Sequence, residues 1–306
     1  MSSVPTVAQT AGPRAARSAA RKSSRRAKVG GYDRRPRWLT YTVLGFAVFI
    51  GLAPLYYTIV IGSSDPISIA QDALPQFLPD STLFHNFSLV IHSEAFSFWK
   101  AFANSVIISV VTSTSVVLFS TLAGFSFAKL RFRGRGALLV FVIATMAVPT
   151  QLGVVPMYIL MTDLHWIGKL QAVIVPGLVT AFGVFWMTQY LEEALPYELI
   201  EAARMDGASM IRTFWSIALP AARPAAAMLA LFTFVAQWVN FFWPSIVLSS
   251  ENPTLPLTIR LLQANYFVDY SLVLAGVFLM TIPLLVLFLF TGRHLVAGIM
   301  AGAVKG

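Results

Sequence analysis

A chain of 306 residues with 57% hydrophobic and 11% charged side chains is too apolar for an ordinary water-soluble domain and reads as a polytopic membrane protein. It has no cysteine, which excludes a disulfide framework, thiolate catalysis and thiolate-bound metal. The net charge of +9 belongs to residues 1–37, where ten Lys and Arg face the single acid Asp33, while the remainder holds 12 basic and 12 acidic side chains. The charge therefore describes a tail and not a nucleic-acid-binding domain.

In chain order, the Ala/Ser/Arg-rich tail 1–37 is expected to be disordered, to stay on the cytoplasmic side and to attract anionic lipid headgroups. Residues 38–61 form an uninterrupted apolar run, longer than the roughly 20 residues that cross a bilayer and too long for a signal peptide. Five more spans are expected at 98–128, 137–161, 170–191, 225–248 and 272–291, giving an all-α membrane protein of six transmembrane helices. No span carries an ionisable Asp, Glu, Lys or Arg in its middle, which argues against a proton relay or a voltage sensor. His85, His92, His165 and His294 are scattered, so no metal site or cofactor is expected. Residues 62–97 read as an external loop, with Pro66, Pro75 and Pro79 at turns and Asp65, Asp72, Asp80 and Glu94 in solvent.

With the N-terminus inside, the inner segments hold 19 Lys and Arg, and the outer ones hold Lys100, Lys169 and Arg260. This positive-inside bias puts both termini in the cytoplasm. The basic loop 129–136 then reads as a topology determinant.

The polar interruption "EAARMDGASMIRTFWSIALP", residues 201–220, faces the cytoplasm in this topology. Pro196 suits the first position of a helix, and Glu198 and Glu201 suit its N-terminal turns. Gly207 suits a left-handed C-terminal stop, and Ser209 can cap a second helix. On that second helix Met210, Phe214 and Ala218 recur at a spacing of four, beside Ile211 and Trp215, with Arg212, Thr213 and Ser216 elsewhere around it. Pro220 and Pro224 are expected to end it before the next span. The result is a two-helix hairpin with an apolar ridge. Such a ridge can lie in the lipid interface or dock into a groove on a soluble partner.

The order Glu201-Ala202-Ala203, Asp206-Gly207-Ala208-Ser209, Leu219-Pro220 resembles the EAA loop of binding-protein-dependent ABC transporter permeases. Residues 104–135, 148–160 and 301–306 are similar to the maltose-type carbohydrate-uptake permeases, and the resemblance extends over nearly all of the chain from residue 38. It implies a type I ABC importer permease architecture over 38–306 with the EAA loop at about 192–223, in a bacterial inner or plasma membrane. It also implies four sets of partners: a homologous second permease, a cytoplasmic ATPase dimer, an extracytoplasmic solute-binding protein and a sugar. Glu201, Ala202, Ala203, Asp206, Gly207, Met210, Ile211, Phe214 and Trp215 would couple the permease to the ATPase, with the tail 301–306 reaching the same partner. No phosphate-binding G-x-x-x-x-G-K-[ST] occurs in the chain, so a non-catalytic subunit driven by another chain's ATP hydrolysis is expected.

Sugars offer apolar ring faces and hydroxyls, which makes Gln237, Trp238, Asn240 and Trp243 candidates for the translocation path. The two tryptophans also fit core or membrane-interface positions, and the family's Trp-Asn-Asp is here Trp238-Val239-Asn240. Pro149, Pro156, Pro176, Pro244 and Pro283 permit bends in or near spans, and Gly124, Gly153, Gly177, Gly183 and Gly276 permit close helix contact. The alternative reading is a self-sufficient carrier or channel for a small neutral solute. An intramembrane enzyme would need a catalytic set that the spans do not contain.

Overall fold

The computed structural model describes residues 38–71, 76–264 and 268–303, with side chains for 38–69, 76–264 and 268–292. The basic tail, Asp72, Pro75 and the side chains of the C-terminal segment, Arg293 and Lys305 among them, lie outside the described residues. The chain divides into two units, Met1–Pro54 and Leu55–Gly306. The described part of the first unit is the N-terminal portion of helix α1 (Trp38–Gly62), whose side chains from Trp38 to Leu52 are exposed and, apart from Thr40 and Thr42, mainly apolar.

All regular secondary structure among the described residues of the second unit is helical. The segment 62–97 contains α2 (Pro66–Gln71) and α3 (Leu83–Ile91), where the sequence suggested only a loop. Local polar ties fold it: Asn86 Nδ2 donates to Gly62 O at 3.0 Å, and Asp80 N donates to Ser63 Oγ at 2.8 Å. Then comes α4 (Phe98–Lys129), capped by Ser97. Its ends match the second expected span to within one residue.

The third expected span is not one helix. α5 (Arg135–Thr145) and α6 (Thr150–Asp163) meet at an angle of 87°. Pro149 is extended at the corner (φ −60°, ψ 125°). A proline supplies no amide donor and disfavours the helical conformation in the residue before it, so the helix ends there and restarts. The fourth span, α7 (Gln171–Ala194), is interrupted at 178–180 and restarts from Thr180, whose hydroxyl accepts from Gly183 N at 3.1 Å.

α8 (Tyr197–Met205) is followed by α9 (Met210–Trp238), which joins the second hairpin helix and the fifth span into one element. Pro220 and Pro224 therefore do not stop the hairpin helix, contrary to the sequence expectation. The wide π-turn Phe214–Ala218 comes immediately before them and absorbs the backbone bonds that the prolines cannot make. The span also ends at Trp238 instead of 248; the chain breaks at 239–241 before α10 (Phe242–Val247). α11 (Leu255–Gln263) and the long α12 (Tyr270–Ala303) complete the chain. Among the described residues five helices are thus long and apolar enough to cross a bilayer, and six if the bent α5–α6 pair counts as one span.

α4, α7 and α9 form the centre. Gly124 of α4 faces the main chain of α7 so closely that a Cβ there would lie 2.8 Å from the Met187 carbonyl carbon. Trp186 Nε1 bonds Ala225 O at 3.2 Å and ties α7 to α9. Gly124→Val should separate α4 from α7 and cost about 1–3 kcal/mol by overpacking. The thermal midpoint of the detergent-purified chain should fall, while Gly153→Ala, where a Cβ meets nothing within 4 Å, should leave it unchanged.

Candidate functional site

The hairpin α8–α9 is built by local signals. Pro196 is the residue just before α8 (φ −59°, ψ 144°), one position earlier than expected; its extended ψ turns the chain into the helix. Glu198 in the first turn and Arg204 in the last complement the helix dipole. Gly207 is left-handed (φ 76°). Its amide bonds Arg204 O at 3.0 Å and the Ala208 amide bonds Ala203 O at 2.9 Å, a paired closure that satisfies the last carbonyls of α8. Ser209 Oγ accepts from Arg212 N at 3.2 Å and caps the following helix.

The hairpin's two faces differ. Ile200, Ala203, Thr213, Phe214 and Ala218 turn inward. Phe214 is 3% exposed and its ring lies 6.0 Å from that of Phe125 on α4. It belongs to one core with Leu195, Ile200, Met187 and Leu191. The expected ridge therefore splits: Phe214 and Ala218 pack against the chain's own spans, and Ala203 on α8 is buried as well, so none of the three is a surface group. Burial drives this, because a Phe ring on the inner side removes more apolar surface from water than any arrangement facing out.

Outward lie Glu201, Ala202, Arg204, Met205, Asp206, Gly207, Ile211, Arg212 and Trp215, with Met210 half-buried. Met205 is 88% exposed, Ile211 73% and Trp215 54%. Met205 was not among the sequence candidates; its position one turn after Glu201 was the signal. Two clefts flank the hairpin. One of about 330 Å³ is apolar, between Leu118, Leu122 and Phe125 of α4 and Met210, Ile211 and Trp215. The other, of about 440 Å³, is charged and is lined by Lys129, Arg131, Glu201 and Arg204.

The four path candidates do not share one surface. Trp238 is buried, its Nε1 donates to Met280 O at 3.1 Å, and Phe234 stacks on it at 5.7 Å. Trp243 Nε1 donates to Ala172 O at 2.9 Å. Both indoles direct their N–H to main-chain oxygens inside the protein; Trp238 is core, and half-buried Trp243 packs against a core cluster. Gln237 and Asn240 remain half-buried, 3.4 Å apart at Oε1 and Nδ2. A Cβ at Gly177, beside the interruption in α7, would sit 3.1 Å from Thr112 and 3.5 Å from Gln237 Nε2. There Ser115 Oγ donates to Leu178 O at 3.1 Å, and the buried hydroxyl of Thr112 has no partner among the described residues. Thr112 and Ser115 went unnoticed in the sequence, although Ser105, Ser109 and Thr112 recur along α4 at helical spacing. Among the described residues no group of His, Asp and Glu is placed to hold a metal ion.

Residues 116–296, hairpin included, match the family model described as "Binding-protein-dependent transport system inner membrane component". The chain belongs to that family. This permease is 33% identical over 270 residues to the arabinooligosaccharides transport system permease protein AraQ of Halalkalibacterium halodurans, covering 88% of this chain and 96% of the relative. It is 30% identical over 275 residues to the lactose transport system permease protein LacG of Rhizobium radiobacter, covering 89% and 97%. Its fold matches a chain of a bacterial ABC transporter involved in the import of the acidic polysaccharide alginate, with a TM-score of 0.69 at 23% identity, over 87% of this chain and 99% of that one. The permease is accordingly a multi-pass inner-membrane protein with the ABC importer permease fold.

A Cβ at Gly207 meets nothing within 4 Å, so its substitution is strained only through the backbone. Gly207→Val should cost about 1–2 kcal/mol and expose the hairpin bend to protease. Gly207→Asn, which tolerates the left-handed region, should cleave nearly as slowly as wild type.

Proposed function

We propose that this chain is the permease subunit of an ATP-driven importer of a di- or oligosaccharide, and that its hairpin couples it to a separate ATPase pair. The kinship with arabinooligosaccharide and lactose permeases supports the substrate class. The observation that carries the coupling role is the two-faced hairpin, with Phe214 locked into the span core and Met205, Ile211 and Trp215 turned out beside Glu201. An amphipathic helix with exposed large apolar groups binds a groove on a partner through those groups. Here Ile211 and Trp215 supply the apolar contact, Glu201 the charged one, and the Gly207 bend fixes the angle between the helices. The charge bias along the sequence puts this face in the cytoplasm.

A homologous second permease completes the pathway, and a solute-binding protein delivers the sugar from outside. Each spends its binding energy on the same state of the assembly, which is how ATP and loaded binding protein drive one cycle. On this chain the polar group around the α7 interruption, Thr112, Ser115, Gln237 and Asn240, faces the translocation path. Hydroxyl, amide and main-chain carbonyl groups at a broken helix suit a neutral sugar, since irregular backbone at membrane depth is tolerated where it lines a cavity.

The test is uptake by the transporter reconstituted with its ATPase. Ile211→Glu and Trp215→Glu should each release the ATPase from the purified complex and cut ATP-driven uptake by about tenfold or more, the loss of one anchoring contact of roughly 2 kcal/mol. Full uptake and an intact complex in both variants would overturn the coupling assignment.

A further inference from the structure

Three helix ends meet beneath the hairpin, and one lysine joins them. Lys129 is the last residue of α4 and is 5% exposed. Its Nζ donates to Glu192 O, near the C-terminus of α7, at 3.0 Å. The same nitrogen stands 4.5 Å from the centroid of the Tyr197 ring, the first residue of α8. Tyr197 in turn donates its hydroxyl to Ala128 O of α4 at 3.1 Å. The fastening is reciprocal: α4 reaches out through Lys129, and α8 reaches back through Tyr197.

Among the described residues no carboxylate pairs with this ammonium. The ion pair among the described residues is Arg135 with Glu192, at 3.9 Å, and it uses the Glu192 side chain while Lys129 takes the main-chain oxygen. Burying a cation without a counter-charge is costly, and a methionine of similar length would fill the space without that cost. What only the ammonium supplies is a directed bond to the carbonyl end of α7 together with a hold on the ring of α8.

We propose that Lys129 is a positioning residue that fastens the hairpin to α4 and α7, so that displacement of α8 is passed to both spans together. This rests on the hairpin being the ATPase contact. Without the fastening α8 follows the ATPase while α4 and α7 lag behind it, and ATP is hydrolysed with less movement of the spans. The neighbouring cations Arg131 and Arg204 line the same cleft as Lys129, whose ammonium is the one placed on Glu192 O and the Tyr197 ring.

The experiment measures sugar transported per ATP hydrolysed by the reconstituted full transporter carrying Lys129→Met, Lys129→Arg or Tyr197→Phe. Lys129→Met should lower the ratio by about tenfold, within the usual span of coupling between sites, while the ATPase still co-purifies. Lys129→Arg should restore much of the ratio, and Tyr197→Phe, which keeps the ring and loses the hydroxyl, should fall between. An unchanged ratio in Lys129→Met, including a parallel loss of uptake and hydrolysis, overturns the proposal. If Lys129→Met does not accumulate, Tyr197→Phe decides it: a lowered ratio supports the fastening and a wild-type ratio overturns it. Ile211→Glu, run alongside, separates the two readings. An ATPase that stays bound in Ile211→Glu refutes the docking face itself; its loss there, with a normal ratio in Lys129→Met, refutes the fastening alone.

Discussion

The burial of Leu195, Ile200, Phe214 and Ala218 among Val116, Phe125, Met187 and Leu191 is the constraint on which the rest of the molecule depends. These side chains make the polar interruption of the chain part of the same core as α4 and α7. A hairpin held only by its two connections would move independently of the spans. With Phe214 and Ala218 packed against α4 and α7, its second helix moves with those spans, which leaves α8 as the part that Lys129 and Tyr197 tie in. The outer face is left with Met205, Ile211 and Trp215, large apolar groups close to the charged cleft of Lys129, Arg131, Glu201 and Arg204. The contrast between the faces, more than either alone, makes the hairpin legible as a contact surface.

Around that core the helices are interrupted where the chemistry asks for interruption. Pro149 turns the third span through 87°, and the break at 178–180 leaves the Leu178 carbonyl to Ser115. At these breaks main-chain and hydroxyl groups come to hand that an unbroken apolar helix would keep hidden. The central helices approach closely at Gly124, so the breaks are set in a rigid frame and not in a loose bundle.

Local turn chemistry was readable from the sequence because it depends on neighbours a few residues apart. Gly207 takes its left-handed conformation and Ser209 caps the next helix as the residue types require. The apolar runs likewise located the first, second and last spans. Facing was not readable in the hairpin: its second helix is apolar on two sides, and periodicity marks the sides without saying which is inward, so Phe214 and Ile211 looked alike. Hydropathy also carries no sign for a change of direction: Pro149 was marked as permitting a bend, yet 137–161 was read as one span, and the fusion of the hairpin helix to the fifth span was missed. Trp238 and Trp243 were ambiguous because an indole serves a core as well as a sugar, and only the partner of its N–H separates the two. Lys129 looked like one more inner-loop cation; its burial depends on Tyr197, 68 positions away, and no local pattern announces that.

The π-turn at Phe214–Ala218 has a mechanical consequence. By accommodating Pro220 and Pro224 it lets a single helix of 29 residues run from Met210 to Trp238. At 1.5 Å per residue this is a rod about 43 Å long, the full depth of a bilayer. Tilting such a rod by about 5° at one end swings the other by about 4 Å, more than the diameter of a water molecule. The far end carries Gln237 and abuts Asn240, so a small tilt at the hairpin end would displace these two amides by that distance at the opposite end.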